Sequence, residues 1–274
     1  MRVATFTDPG GTVRVGVVAG NSVRQLEAVS MIDWLAGHGH GPGPQSWSLD
    51  EITLMAPVPE PPSVRDFYAF EGHVAAGWRR RGLPIPDYWY VAPAFYFSNP
   101  ASIVGPGQAV RRPESTRMLD FELEIAAVIG DRGTIAGFTL MNDWSARDVQ
   151  RQEMAVLLGP AKGKDFATSL GPWLVTPDEL AYRDGVLSIE AAVAVNGVEV
   201  GRARTDAMQF TWDELVVHAA RDTRLRPGDV LGSGTLDRGC LLELGPLPGD
   251  RWLEPGDVVT ITAEGLGELT TTVG

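Results

Sequence analysis

The sequence predicts a mainly β fold with some helix, in which a small β-rich N-terminal domain precedes a larger β-rich one. Three observations carry that expectation. Short apolar runs broken by turn residues recur along the chain. Asn196-Gly197, flanked by Ala194-Val195 and Val198, supplies both positive φ angles of a type I′ hairpin turn. The pattern Leu-x-Pro-Gly-Asp-Val occurs at 225–230 and again at 253–258, with Pro setting φ and Gly taking φ > 0. Segments with helical spacing are few. A chain of 274 residues is ample for one large core with a small appendage.

Taken in order, residues 3–6, 12–18 and 22–26 read as strands separated by Asp8-Pro9-Gly10-Gly11 and Gly20-Asn21. Residues 31–36 suit a helical turn or two, ended by Gly37. Gly39-His40-Gly41-Pro42-Gly43-Pro44 is a breaker-rich loop, so His38 and His40 have no fixed geometry for a metal and are read as solvated. Ala56-Pro57-Val58-Pro59-Glu60-Pro61-Pro62 is an extended linker. The domain boundary is therefore placed there, giving an N-terminal unit over 1–62 and a main domain over 63–274. Helices are expected at 72–81, 145–157 and 212–220.

Composition excludes several classes of partner. A formal charge of −12 argues against a nucleic-acid backbone or an anionic membrane surface. Cys240 is the single cysteine, which rules out an intrachain disulfide and cannot by itself build a thiolate metal site. That usage suits a reducing cytoplasm. The start lacks the apolar core of a signal peptide, and no apolar run approaches the ~20 residues of a spanning helix.

The run Asp120-Phe121-Glu122-Leu123-Glu124-Ile125-Ala126-Ala127-Val128-Ile129-Gly130 alternates. As a strand it sends Phe121, Leu123, Ile125 and Ala127 one way and Asp120, Glu122 and Glu124 the other. Same-face neighbours lie roughly 6.6 Å apart. Such carboxylates repel unless a cation lies between them or water bathes both, and spacing alone leaves both readings open. Asp143 follows in Met141-Asn142-Asp143-Trp144. Three convergent carboxylates without nearby Cys or His favour a hard divalent ion: Mg²⁺, Mn²⁺ or Ca²⁺.

Other residues suggest chemistry. His73 falls near the start of the 72–81 helix, where the helix dipole disfavours imidazolium and keeps a base available. Asp66, seven residues earlier, reads alone as a turn or capping residue. Arg147 and Gln150 share a helix face, which fits either a solvated surface or a pair meeting an oxyanion. Lys164 lies in a glycine-punctuated loop that is not a P-loop. Gly232-Ser233-Gly234-Thr235 would let backbone approach a ligand closely. Glu243, in the apolar run Cys240-Leu241-Leu242-Glu243-Leu244, needs a partner, and orienting a histidine is one such pairing.

Together these segments resemble the fumarylacetoacetate hydrolase family from about residue 64 onward. The resemblance rests on Asp120-Phe121-Glu122-Leu123-Glu124, on Met141 to Asp148, and on Gly163-Lys164-Asp165-Phe166-Ala167-Thr168-Ser169-Leu170-Gly171-Pro172-Trp173. The spacing of Asp66-Phe67-Tyr68 and His73 is closer to fumarylacetoacetase-type members than to shorter acylpyruvase-type ones. The resemblance implies a mixed β-sandwich roll and one divalent cation, Mg²⁺ first, on Asp66, Glu122, Glu124 and Asp143. It implies His73 as general base oriented by Glu243, with Arg147, Gln150 and Lys164 stabilising oxyanion and leaving carbanion. Tyr68, Arg81, Tyr96 and Thr235 match substrate contacts. The implied activity is hydrolysis of a carbon–carbon bond in a 1,3-diketo acid, fumarylacetoacetate- or acylpyruvate-like, by a homodimer. The alternatives are a lyase, decarboxylase or isomerase of 2-oxo acids on the same metal, or a non-catalytic metal- or ligand-binding homologue. Phe70-Glu71-Gly72 and Tyr96-Phe97-Ser98-Asn99-Pro100 depart from the family pattern, as does one residue inserted between Gln150 and Lys164. These changes bear on the substrate and leave the metal and base in place.

Overall fold

A computed structural model describes residues 1–274. Its largest sheet has 12 strands. The main path runs Pro42–Ser48, Ser22–Leu26, Val13–Ala19, Arg2–Thr7, Thr168–Val175, Ile135–Asp143, Leu123–Ile129, Val230–Gly232, Val64–Phe67, Phe95–Ser98. A second sheet of 5 strands carries the expected hairpin, Glu190–Val195 and Val198–Arg204, with Val258–Ala263 and Gly267–Val273 beside it. Asn196 and Gly197 take φ of 52° and 78°, as the turn chemistry requires.

Two cores sandwich the large sheet. Phe121, Leu123, Ile125 and Ala127 face the second sheet, joining Val193, Val259, Ile261 and Leu269 in a cluster of 34 buried residues. Ala126 and Val128, on the opposite face, pack with Val3, Val15, Trp34 and Leu174 in a cluster of 16. The N-terminal strands thus extend the large sheet, with Val3 paired to Leu174 in the Thr168–Val175 strand. The alternation read from the sequence is real, but neither face of Leu123–Ile129 meets water. No helix is long and apolar enough to cross a membrane.

Three local expectations need correction. The 120–130 run is not one strand. Leu119–Asp120 pairs with Ser145–Ala146, and the ladder breaks at Phe121-Glu122, where Glu122 N–H donates to the Asn142 side chain at 2.9 Å. The loop over 39–44 gives way at Pro42 to the strand Pro42–Ser48, which pairs only with Ser22–Leu26. An edge tolerates proline because its missing N–H costs no ladder bond there. The helix expected over 145–157 is shorter, Arg147–Met154, because Ser145 and Ala146 are engaged in strand pairing and Leu157 turns left-handed at φ 62°. The loop histidines are exposed as expected, and His40 Nε2 donates to the Trp34 carbonyl (2.9 Å) while its ring stacks on that of Trp34.

The repeated Leu-x-Pro-Gly-Asp-Val turn closes the same way twice. Asp229 accepts from Arg226 N–H at 2.7 Å, and Asp257 accepts from Glu254 N–H at 2.8 Å. Asp257 also accepts from both Arg251 terminal nitrogens (2.6 and 3.0 Å) and from Asn196 (2.8 Å). Burial opposes ionisation of Asp257, yet these donors hold its carboxyl below the usual range. Its contribution is therefore present at neutral pH and fades as pH falls through the depressed value. Asp257→Asn is expected to cost about 1–2 kcal/mol in denaturant unfolding at pH 7. The difference from wild type should shrink below about pH 4. A variant as stable as wild type at neutral pH would refute this.

Candidate active site

Three strands and one ladder break deliver the acidic residues to one point. Asp66 comes from Val64–Phe67, Glu122 from the ladder break, Glu124 from Leu123–Ile129 and Asp143 from the end of Ile135–Asp143. Their carboxylate oxygens all lie within 4.8 Å of one another, and all four residues are buried. The break at Phe121-Glu122 puts Asp120 elsewhere. It accepts from Arg147 Nε at 2.8 Å and from the N–H groups of Leu241 (2.8 Å) and Leu242 (3.0 Å).

Electrostatics inside the cluster are unbalanced. Burial, then repulsion from Asp143, pushes Asp66 well above the usual carboxylate range, and burial with Asp66 and Asp143 does the same to Glu124. Asp143 is raised too, mainly by burial. Glu122 alone is low: burial works against its charge, but Arg147 and Lys164 outweigh it. Arg147 Nη2 lies 2.7 Å from Glu122 Oε1, while Lys164 Nζ bonds Glu122 and, at 2.6 Å, Asp143. Lys164 stays an ammonium because Asp143 and Glu122 more than offset its burial.

Two oxygens settle the fit to a cation. Glu124 Oε2 and Asp143 Oδ1 are buried without any hydrogen-bond partner. Orphaned carboxylate oxygens are costly unless a cation compensates them. Oxygens at 2.0–2.6 Å from a hard dication span roughly 4 to 5 Å across it, which this cluster matches. The residues fit an oxygen-liganded divalent ion.

Beside the carboxylates, the third residue of helix Glu71–Arg80 presents His73. Its Nδ1 lies 2.5 Å from Glu243 Oε1, and Glu243 Oε2 accepts from Arg238 N–H at 2.9 Å. Burial opposes the Glu243 charge, but the bond from His73 keeps this carboxyl below its usual range. An ionised carboxylate only accepts, so Nδ1 carries the hydrogen and, in the neutral imidazole, Nε2 is the bare nitrogen. His73 lies close to Glu122 at the edge of the cage.

The remaining sequence-predicted residues fall around this centre. Arg147 Nη1 donates to the Gln150 amide oxygen at 3.2 Å, leaving the Gln150 NH₂ as its free end. Tyr96 donates to Asp143 at 2.5 Å, and Thr235 reaches Glu124 at 3.4 Å. Tyr68 sits edge-on to His73 with ring centroids 5.4 Å apart, its phenol pushed up to about 12 by burial. Arg81 is the outlier. It is exposed at the helix end and stacks on Trp78 at 5.2 Å, though near enough to Tyr68 to ease that phenol's ionisation.

The small-residue segment approaches Asp66 instead of open space. Gly234, at φ 79°, donates its N–H to Asp66 Oδ1 at 3.2 Å, and a Cβ on Gly232 would lie 2.4 Å from the same oxygen. Gly232→Ala is therefore expected to displace Asp66 and weaken divalent-ion binding by about 10-fold or more. Isothermal titration at matched folding, checked by circular dichroism, tests this; unchanged affinity would show that Asp66 is not a ligand.

Sequence reasoning missed three supporting residues. Asp120 clamps Arg147, Asp237 accepts the His73 backbone N–H at 3.0 Å, and Cys240 lies against the His73–Glu243 pair. The Asp120 signal was present in its motif; the other two had none.

Two packed β-sheets bearing a buried oxygen cage beside a histidine–glutamate pair define a class of protein suited to a hard cation and a small oxygenated ligand. Within that class, the chain belongs to the fumarylacetoacetate hydrolase family, whose members include hydrolases, isomerases and tautomerases. The family's sequence pattern, described as fumarylacetoacetate (FAA) hydrolase C-terminal, matches residues 63–274. Fumarylacetoacetase of Arabidopsis thaliana is 32% identical over 268 positions, covering 72% of this chain and 63% of that protein. The chain thus matches under two thirds of that relative's length. A mitochondrial oxaloacetate tautomerase of Bos taurus is 31% identical, covering 80% of this chain and 68% of its own. The crystal structure of 5-carboxymethyl-2-hydroxymuconate delta-isomerase from Mycobacterium smegmatis superposes with a TM-score of 0.77 at 28% identity, covering 100% of this chain and 99% of that one.

Proposed function

We propose that the protein is a divalent-metal-dependent hydrolase that cleaves a carbon–carbon bond in a 1,3-diketo acid. The observation that carries this reading is the 2.5 Å contact between His73 Nδ1 and Glu243, because it leaves Nε2 bare beside the carboxylate cage. Attack by water needs such a base. A dication on Asp66, Glu122, Glu124 and Asp143, with Mg²⁺ the first choice and Mn²⁺ or Ca²⁺ the alternatives, would supply Lewis-acid polarisation of the substrate oxygens.

His73 Nε2 takes a proton from water as the hydroxide oxygen bonds to one carbonyl carbon. Arg147, held by Asp120, and the free amide end of Gln150 meet the negative charge that develops on that carbonyl oxygen. The bond to the neighbouring carbon breaks, its electron pair leaves with that carbon, and Lys164 lies close to the resulting charge. The imidazolium then returns its proton to the departing carbon. Tyr68, Tyr96, Thr235 and Arg81 are assigned to substrate contact. Phe97 lies on the opposite strand face from Tyr96, beside Phe95 and under the Arg65 guanidinium, so it does not line the site. The 1–62 segment is assigned as a small N-terminal domain because the family match begins at residue 63, with its strands joined to the large sheet. We assign a homodimer as well, with exposed Val156, Leu157 and Leu158 as apolar surface available for it; a protomer-sized species in sedimentation velocity would refute that.

Acylpyruvates and diketo acids, incubated with Mg²⁺ or with chelator in ¹⁸O-water, provide the test. Hydrolysis yields two fragments with one solvent oxygen in the new carboxylate, and chelator stops it. A product of unchanged mass would instead establish isomerisation or tautomerisation. That second reading has support of its own in the names of the tautomerase relative and the isomerase structure.

A further inference from the structure

The carboxylate cage has a neighbour of different chemistry. His73 Nδ1, Cys240 Sγ and a Glu243 oxygen also lie within 4.8 Å of one another. Cys240 Sγ is 3.9 Å from His73 Nδ1 and 3.6 Å from Glu243 Oε1. Around a tetrahedral ion with a sulfur ligand near 2.3 Å and a nitrogen ligand near 2.0 Å, those ligands stand roughly 3.5 Å apart. Both sulfur separations are close to that value. Only the 2.5 Å contact between Nδ1 and Oε1 is short, so an ion bound between them must part that pair.

From this geometry we infer a second cation site, formed by His73, Cys240 and Glu243, that selects a borderline dication such as Zn²⁺. The cage and this triad differ in donor hardness. Four carboxylates suit Mg²⁺, whereas an imidazole, a thiolate and one carboxylate suit Zn²⁺. The triad is also held in place from behind. Asp237 fixes the His73 backbone, Asp120 fixes the backbone of Leu241 and Leu242, and Arg238 N–H holds the second Glu243 oxygen. Cys240 is wholly buried, so an ion there is shielded from competing water ligands on the sulfur side.

The proton balance follows from the ligands. The free thiol carries a proton that a bound ion displaces. Binding releases one proton per ion, from sulfur, while the Nδ1 hydrogen moves to Nε2. Because this removes the bare Nε2, bound Zn²⁺ would inhibit the reaction assigned above, a consequence that rests on His73 being the base. The site itself does not depend on that reading.

The probe is Co²⁺ added to the full chain already saturated with Mg²⁺. One Co²⁺ per chain with a sulfur-to-cobalt charge-transfer absorption is expected, and Zn²⁺ should displace it. In Cys240→Ser the absorption should vanish and Zn²⁺ retention in equilibrium dialysis should weaken on the order of 100-fold. No sulfur-to-cobalt band in the wild-type protein, or equal Zn²⁺ retention by a folded Cys240→Ser, overturns the proposal. If the serine variant does not fold, the wild-type spectrum decides alone. No turnover is required, so failure of the hydrolytic reading leaves this result intact.

Discussion

Replacing His73 with alanine is expected to lower hydrolysis of a diketo acid by about 10²–10⁴-fold while Mg²⁺ still binds. The separation follows from where the residues reside. His73 comes from helix Glu71–Arg80, whereas the four carboxylates come from strands or from the ladder break beside one. The backbone bond from His73 N–H to Asp237 survives the substitution, so the helix start stays anchored. Steady-state turnover with a cleaved substrate, together with calorimetric Mg²⁺ titration, reads the two properties independently. Full turnover in the alanine variant would remove His73 from the mechanism. Glu243→Gln makes a graded companion, because it weakens orientation of the ring without removing the base. Its kcat should fall with KM little changed. Since Glu243 is held below the usual carboxylate range, the pair should remain assembled as pH falls toward about 4, where ordinary glutamates begin to protonate.

How much of this was legible in the residues differs from element to element. The period of two in Asp120 to Gly130 correctly sorted Phe121, Leu123, Ile125 and Ala127 onto one side. Alternation reports which side chains share a face, and nothing about what covers that face. Hence burial of the other side under Val3, Val15 and Trp34 could be found only once the N-terminal strands had docked. The glycines and prolines of 39–44 looked like a loop because local composition cannot show that the segment would reach a sheet edge. The Asn-Gly hairpin is a local device, and local devices read well. The site follows the same division. Glu122 and Glu124 were visible as a pair, but the Asp120 bond to Arg147 depends on the pairing of Leu119–Asp120 with Ser145–Ala146, a contact set by tertiary structure. Cys240 lies three residues before Glu243, with no pattern to mark it. Its meaning appears only when helix Glu71–Arg80 brings His73 alongside.

The largest effect on stability is expected at Glu124, and its sign depends on the cation. Without metal, Glu124→Gln should stabilise the fold by about 1–3 kcal/mol, since it removes a buried acid crowded by Asp66 and Asp143. Glutamine keeps the shape, and its amide nitrogen can donate toward Asp66 as a protonated Glu124 does. With Mg²⁺ at 100 times its dissociation constant, wild type should gain about 2.7 kcal/mol from binding. The variant lacks a charged ligand and should gain little, so its melting-temperature advantage should vanish or reverse on adding Mg²⁺. The pH dependence has a definite sign. Glu124 is raised in the folded chain, so metal-free wild type has its full stability below the unfolded value and loses it as pH rises toward the folded one. The advantage of glutamine should therefore be absent near pH 4 and open toward neutrality. Thermal melts of both proteins at two pH values, with Mg²⁺ and with chelator, cover all four cases. If Glu124→Gln were less stable than wild type in chelator at neutral pH, the oxygens around Glu124 would already be compensated within the chain. The electrostatic argument for a cation among them would then fail, even if Mg²⁺ bound elsewhere.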